Sequence, residues 1–172
     1  MSERRAALTA GALMLALAGC ADAASEPAAV DEERLSQAAI EAIRAYHAQW
    51  EALDFDAIAA HHSPDFEYVF FDQVLEADAF PAILSEQWMQ GVARYSIDES
   101  EFRPLVLSPS EVHVTVAVED DTVYEDGSTA QTEGVMSYLL TRDKEWKVRR
   151  IHHSGPPPGD LYEGTSPAAA RP

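Results

Sequence analysis

Three polar residues near the end of the chain are spaced so that they could act on one ligand: Arg150, His152 and Ser154. In a β-strand every second side chain points to the same face, and an imidazole exchanges protons near neutral pH. If Trp146 and Val148 face the interior, alternation directs all three polar side chains inward, where they could hold a carboxylate or a carbonyl. The alternative is that His152 and His153 form hydrogen bonds at a sheet edge or in a subunit contact.

A second group of candidates is aromatic, and its members are Trp50, Tyr68, Phe70 and Trp88. Aromatic side chains bury large apolar areas and line pockets for apolar ligands. His113 or Glu133 could add polarity to such a pocket. The spacing of the aromatic residues also fits the buried faces of helices and strands, so the alternative is that they belong to the core.

Other kinds of chemistry have no support in the sequence. His61 and His62 have no matching carboxylate or histidine spacing, and His152 and His153 would point to opposite faces of a strand, so we expect no metal and no cofactor. There is no glycine-rich phosphate loop, no cysteine–histidine pair and no Gly-x-Ser-x-Gly motif. The net charge of -18 would repel a phosphate backbone, which argues against nucleic acid as a partner.

The elements that would position these residues follow from the apolar spacing. Six residues step by three or four and predict one long helix: Leu35, Ala39, Ile43, Tyr46, Trp50 and Leu53. Asp54 can cap a short second helix, and Asp78 a third one with Pro81 in its first turn. Between them, 66–72 is aromatic and β-branched and predicts a strand.

The second half of the chain predicts an antiparallel meander. Strands are expected at 95–107, 111–125, 128–142 and 146–154, separated by turn sequences such as Asp126-Gly127. Helices followed by strands make an α+β domain. Several strands carry apolar residues on both faces, so we expect helices on one side of the sheet and the second subunit of a homodimer on the other.

The start of the chain predicts export and lipidation. Arg4 and Arg5 precede an apolar stretch that stops at Leu17-Ala18-Gly19-Cys20, which resembles the bacterial lipobox. We therefore expect a signal peptide over 1–20 with Cys20 lipidated, a tether over 21–32, one domain over 33–158 and a disordered tail over 159–172. The protein would face the periplasm or the outer cell surface and touch the membrane through its lipid only. The alternative is an ordinary signal peptide with an incidental cysteine.

Several segments in this order resemble the NTF2-like (SnoaL-like) superfamily. Residues 46–58 look like its first helix, the following loop and the aspartate-rich start of the second helix. Trp146-Lys147-Val148, followed by His152-x-Ser154, is similar to the last strand of SnoaL-like members, and 152–156 also resembles the closing strand of the calmodulin-kinase association domain. The resemblance implies a cone in which three N-terminal helices pack on a strongly curved, mostly antiparallel sheet around an apolar cavity.

Acid–base members of this superfamily, such as ketosteroid isomerase, combine a carboxylate base with tyrosine and protonated carboxyl donors in an apolar pocket. A gap-free overlay puts Tyr46 at the place of the tyrosine, Phe70 at the base and Met136 near the second donor. Asp72 lies two residues beyond Phe70, on the same strand face, and could act as base if the loop register differs. The resemblance thus implies Tyr46 and Asp72 as catalytic candidates beside His152, although Tyr46 also fits the apolar stripe of the helix.

Three functions remain open at this point. The apolar residues at the implied acid and base positions favour a lipid-anchored envelope protein that binds a small, largely apolar or carboxylate-bearing molecule without turnover. An isomerase or dehydratase using Asp72 or His152 is the first alternative, and a raised carboxyl pKa inside the domain would support it. The second alternative is a dimerisation or assembly module with a vestigial pocket.

Overall fold

The computed structural model describes residues 31–70 and 73–154, which fold as helices packed on one sheet. The predicted signal peptide, Cys20, Asp72 and the C-terminal tail lie outside the described residues. The elements, in chain order, are α1 (Glu32–Glu51), α2 (Phe55–Ala60), β1 (His62–Phe70), β2 (Gln73–Glu76), α3 (Phe80–Ile83) with a π-helical turn (Leu84–Trp88), β3 (Val92–Ser108), β4 (Glu111–Tyr124), β5 (Thr129–Arg142) and β6 (Trp146–Ser154).

Helix α1 forms where the apolar stripe predicts it. The Asp31 carboxylate caps it by accepting a 3.0 Å hydrogen bond from the Arg34 amide, and two glutamates in the first turn favour the positive end of the helix dipole. Its buried face consists of Leu35, Ala39, Ile43, Tyr46, His47 and Trp50. The helix ends before Leu53, which adopts a φ of 53° in the following turn.

The two short helices follow the prediction in part. Asp54 caps α2 by accepting a 3.0 Å hydrogen bond from the Ala57 amide, as predicted. The predicted cap of α3 at Asp78 is wrong, because a turn closed by the Ala79 amide on the Glu76 carbonyl delays the helix by one residue. Within the part of the chain that the structure describes, no side chain caps α3.

The sheet has six strands in the order β2-β1-β6-β5-β4-β3. Only the β1–β6 pair is parallel, so the predicted α+β class with a mostly antiparallel sheet is confirmed. The hairpin strand β2 was not predicted. Register shifts in β3, including one at Glu101 with a φ of 50°, add the bulges that bend the sheet.

The helices cover one face of the sheet, with α1 packed on β3, β4 and β6. Strand β4 shows how the core is chosen, since Val112, Val114, Val116 and Val118 are buried and the residues between them are not. Within the described residues, no helix has the length and apolar character of a membrane span. The inner face of the sheet and the helices above it therefore enclose the interior in which functional residues must be sought.

Candidate functional site

The interior contains a buried carboxyl group, that of Asp120. The valine alternation of β4 continues through this position, so Asp120 points inward like Val118, and it is only 2% exposed. Its Cα partners are Ile97 on β3 and Thr132 on β5, and the Thr132 hydroxyl donates to its Oδ2 at 3.3 Å. Burying a carboxyl that accepts one weak hydrogen bond costs free energy. A carboxyl in this position therefore points to a functional role rather than a structural one.

Two aromatic residues with polar atoms adjoin this carboxyl group. Tyr95 pairs with Thr122, which places it diagonally across from Asp120 on the inner face, and Trp50 of α1 packs on Tyr95 with ring centroids 6.1 Å apart. The Trp50 Nε1, the Tyr95 hydroxyl and the Asp120 Oδ1 are all buried and make no hydrogen bond of normal geometry within the described part of the chain. Two donors and a carboxyl oxygen thus share one region of the interior, where Tyr95 and Asp120 interact with each other and Trp50 interacts with Tyr46.

Burial changes the proton affinity of these groups. It raises the pKa of Asp120 from 3.8 to about 6, and the neighbouring Tyr95 hydroxyl, His47 and Thr132 oppose this rise only in part. Burial, reinforced by the charge of Asp120, also holds the pKa of Tyr95 well above its ordinary value. Tyr95 is therefore a proton donor in hydrogen bonds at neutral pH, whereas Asp120 can be present in either protonation state.

The aromatic residues singled out from the sequence come together beside this cluster. Phe80 of α3 lies among them, with its ring 6.1 Å from Trp50, 5.0 Å from Tyr68 and 6.0 Å from Trp88. Phe70 in turn lies 5.7 Å from Trp88. All are less than 8% exposed, so they form a packed aromatic cluster in the interior.

Three tyrosine–histidine pairs lie around the interior. The hydroxyl-to-nitrogen distances are 3.1 Å for Tyr46–His62, 3.2 Å for Tyr68–His153 and 2.6 Å for Tyr138–His47. Burial lowers the pKa of both His62 and His153 to about 4, so these two imidazoles are neutral near pH 7. Tyr46, a catalytic candidate from the sequence, is thus a core residue bonded to His62, and burial raises its pKa well above the usual value.

The last strand presents the opposite face from the one expected. A register shift between Leu139 and Leu140 inserts a bulge in the β5–β6 pairing, so alternation does not continue unchanged from Val148. The inward residues beyond the bulge are Ile151 and His153. The inward orientation expected for Arg150, His152 and Ser154 is therefore wrong: all three are exposed, and Arg150 forms an ion pair with Glu67.

His113 and Glu133 also lie on the outer face of the sheet. His113 alternates with the buried Val112 and Val114, and Glu133 is exposed opposite Glu119. His113 and Glu133 therefore add no polarity to the interior, and that expectation is wrong. Asp72 cannot be placed, because it lies outside the described residues.

Sequence reasoning missed Asp120 and His47, although signals for both were present. Asp120 occupies the next inward position after Val118 in the alternating series, where a charged residue is unusual. His47 follows Ile43 by four residues and so belongs to the buried stripe of α1. Among residues 31–70 and 73–154, no three side chains of the metal-binding types lie close enough together to hold a metal ion.

Comparison with known proteins identifies the architecture. No protein-family model and no curated protein sequence matches the chain. Among solved structures, a protein assigned as a scytalone dehydratase from Novosphingobium aromaticivorans superposes with a TM-score of 0.67 at 14% identity, covering 78% of this chain and 96% of that one. An NTF2-like superfamily protein from Salmonella enterica gives 0.63 at 16% identity, covering 77% and 99%.

A third similar structure is hexachlorocyclohexane dehydrochlorinase LinA-type3 from Novosphingobium barchaimii. It superposes with a TM-score of 0.63 at 12% identity and covers 77% of this chain and 94% of that one. Likeness at these identities establishes the fold alone. The predicted NTF2-like cone is confirmed, as a mixed sheet of six strands that stays open at its β2 and β3 edges.

Proposed function

We propose that the interior of the cone binds a small, largely apolar molecule that carries a carbonyl or hydroxyl oxygen, and that Asp120 exchanges a proton with it. The observation that carries the proposal is the set of buried polar atoms on Trp50, Tyr95 and Asp120 that form no hydrogen bond of normal geometry within the described residues. Each such atom costs about 1–3 kcal/mol when it stays unbonded in the fold, and a ligand that bonds them recovers that free energy. Perturbed carboxyl groups of this kind concentrate at functional sites.

The chemistry follows from the identity of the groups. The Trp50 N–H and Tyr95 O–H are donors, so they suit an oxygen that becomes more negative during reaction. The Asp120 carboxylate can take a proton from the carbon next to a carbonyl. Its protonated form can return that proton to another carbon, which is an isomerisation, or protonate a departing hydroxyl group, which is a dehydration. The NTF2-like neighbours that are described as a dehydratase and a dehydrochlorinase perform eliminations by name, which supports this class of reaction.

A deuterium-uptake experiment tests the proposal without knowledge of the natural substrate. The purified protein is incubated in D2O with a panel of cyclic and aromatic ketones, and mass spectrometry follows the exchange of protons next to the carbonyl. We expect uptake for at least one compound, and we expect Asp120→Asn to abolish it. Asp121→Asn is the matched control, because the neighbouring carboxyl is exposed. Equal uptake with wild type and Asp120→Asn would refute the role of Asp120.

Binding without turnover is the second candidate. It is favoured by Phe70 and Met136, the buried apolar residues at the positions where the resemblance implies a base and an acid donor. Under this alternative, a compound from the panel binds with an affinity that falls in Tyr95→Phe, and no deuterium enters it. Deuterium uptake by the bound compound therefore distinguishes the two candidates.

We further propose, from the sequence alone, that Cys20 is lipidated and that the lipid holds the domain at the bacterial cell envelope. The support is the coincidence of the basic start, the apolar stretch and the lipobox-like Leu17-Ala18-Gly19-Cys20. The only membrane contact proposed is the lipid.

The outer face of the sheet suits a homodimer, which we propose as the functional assembly. Leu105 and Leu107 are exposed by 59% and 53%, respectively, on strand β3. Exposed apolar residues on one face are typical of subunit contacts. Sedimentation equilibrium should give twice the chain mass for wild type and the chain mass for Leu105→Glu. A monomeric wild type would refute the dimer.

A further inference from the structure

A continuous hydrogen-bonded chain links helix α1 to strands β3 and β5. Glu99 Oε1 lies 2.5 Å from His47 Nδ1, and His47 Nε2 lies 2.6 Å from the Tyr138 hydroxyl. His47 and Tyr138 are buried, whereas the Glu99 side chain is 14% exposed and also bonds Arg44 at 3.3 Å. The chain therefore has one end at the surface and the other in the interior.

The charge of Glu99 defines the direction of the outer hydrogen bond. Burial alone would raise the pKa of Glu99, but the hydrogen bonds and charges of His47 and Arg44 together hold it below its usual value. Glu99 is therefore a carboxylate that accepts from the Nδ1–H of His47. The Tyr138 hydroxyl also lies 2.8 Å from Met136 Sδ, so it can donate to the sulfur or to Nε2, and the tautomer of His47 decides which.

The strand register brings this chain next to the Asp120 site. Glu99 pairs with Val118, so Asp120 is its diagonal neighbour on the inner face, on the opposite side of Ile97 from Tyr95. Both His47 and Tyr138 interact electrostatically with Asp120. At the outer end, Glu99 lines an open groove of about 640 Å³ together with Asp98, Glu119 and Glu133. A groove lined by one sign of charge raises the local concentration of the opposite sign, including protons.

We infer that Glu99, His47 and Tyr138 form a proton relay between the acidic surface groove and the cone interior, in which Glu99 and His47 act as positioning residues. Its use, to restore the protonation state of Asp120 between turnovers, rests on the proposed function. The relay makes and breaks only O–H and N–H bonds. In the outward direction, with His47 starting as the Nδ1–H tautomer, Tyr138 passes its proton to Nε2 and His47 passes the Nδ1 proton to Glu99, which leaves His47 as the Nε2–H tautomer. Tyr138 then receives a proton from the interior, so one proton moves and no charge stays on the phenol.

The exchange rate of tyrosine hydroxyl protons tests the relay without any substrate. With 13Cζ-labelled tyrosine in an equal mixture of H2O and D2O, the O–H and O–D forms give separate signals when exchange is slow. Tyr46, Tyr68 and Tyr138 are at most 1% exposed and each bonds a histidine. In the described residues, only the histidine of Tyr138 bonds a carboxylate through its second nitrogen. We expect the hydroxyl proton of Tyr138 to exchange at least about tenfold faster than those of Tyr46 and Tyr68, because a positioned acid–base chain speeds proton transfer.

Glu99→Gln separates a relay from a merely structural contact. Glutamine can still accept the Nδ1–H bond but cannot take up the proton, so Tyr138 exchange should slow to the rate of Tyr46 and Tyr68. A purely structural loss would loosen the fold and accelerate exchange. Glu119→Gln, which removes a groove charge but no member of the chain, should slow exchange much less than Glu99→Gln does. Similar rates for all three tyrosines in wild type, or faster exchange in Glu99→Gln, would overturn the relay, whatever the outcome of the deuterium-uptake experiment.

Discussion

Replacing Asp120 by asparagine should stabilise the protein at neutral and alkaline pH and abolish proton exchange with a ligand. Asparagine has nearly the same shape as aspartate and its carbonyl can still accept from Thr132, but it never carries the buried charge. A residue whose removal increases stability while it removes activity is kept for function rather than for the fold.

The magnitude follows from the pKa of Asp120. The folded chain binds this proton more tightly than the unfolded chain, since the pKa rises from 3.8 to about 6. The contribution of Asp120 to stability is therefore fully present below pH 3.8 and is lost as pH rises toward and through 6. The difference between these pKa values corresponds to about 3 kcal/mol of folding stability. The wild type loses this stability as pH rises from below 3.8 to above 6, whereas Asp120→Asn does not.

Urea unfolding of both proteins at a series of pH values measures this difference. The free energy of unfolding of Asp120→Asn minus that of wild type should grow by about 2.4 kcal/mol between pH 4 and pH 8, because part of the change has already occurred at pH 4. The exposed Asp121→Asn supplies the control for the change in net charge. A difference that stays constant with pH, or that shrinks as pH rises, would refute the assignment of a raised pKa to Asp120.

Three further outcomes are expected. Tyr95→Phe removes a hydroxyl that forms no hydrogen bond of normal geometry, so it should leave the free energy of unfolding unchanged or raise it by about 1 kcal/mol while ligand affinity falls. Clear destabilisation would mean that the interaction of this hydroxyl with Asp120 already stabilises the fold. In urea unfolding, His153→Ala should cost about 2–3 kcal/mol and His152→Ala less than about 0.5 kcal/mol, whereas equal costs would contradict the bulge in β6. Cys20→Ser should eliminate the incorporation of a labelled fatty acid in the native host, and labelling that persists would disprove the proposed lipidation site.

Periodicity was sufficient to predict most of the fold. The α1 stripe, the Asp54 cap and the four strands of the meander follow from spacing and turn residues, because one face of each element is buried. The strand β2 is only four residues long, and such short segments carry little periodicity. The start of α3 depends on a local turn that competes with an equally good cap at Asp78.

The candidate site was harder to predict, for two physical reasons. A β-bulge reverses the inward and outward faces beyond it. The single extra residue in β6 therefore makes His153, and not His152, the inward histidine. Polar residues at inward positions are also easily assigned to the solvent face, although Asp120 and His47 continue apolar patterns on β4 and α1. The aromatic group was predicted because large apolar residues are buried whatever their function.

The protonation of Asp120 can be measured directly from the 13Cγ chemical shift of its side chain between pH 3 and pH 8. A buried carboxyl that exchanges protons with a ligand in the interior should give a titration midpoint near 6, and the midpoint should move when a bound ligand oxygen engages Tyr95. A midpoint at or below 3.8 would contradict the account, because a carboxyl that titrates like a solvated one has no access to the proposed chemistry at neutral pH.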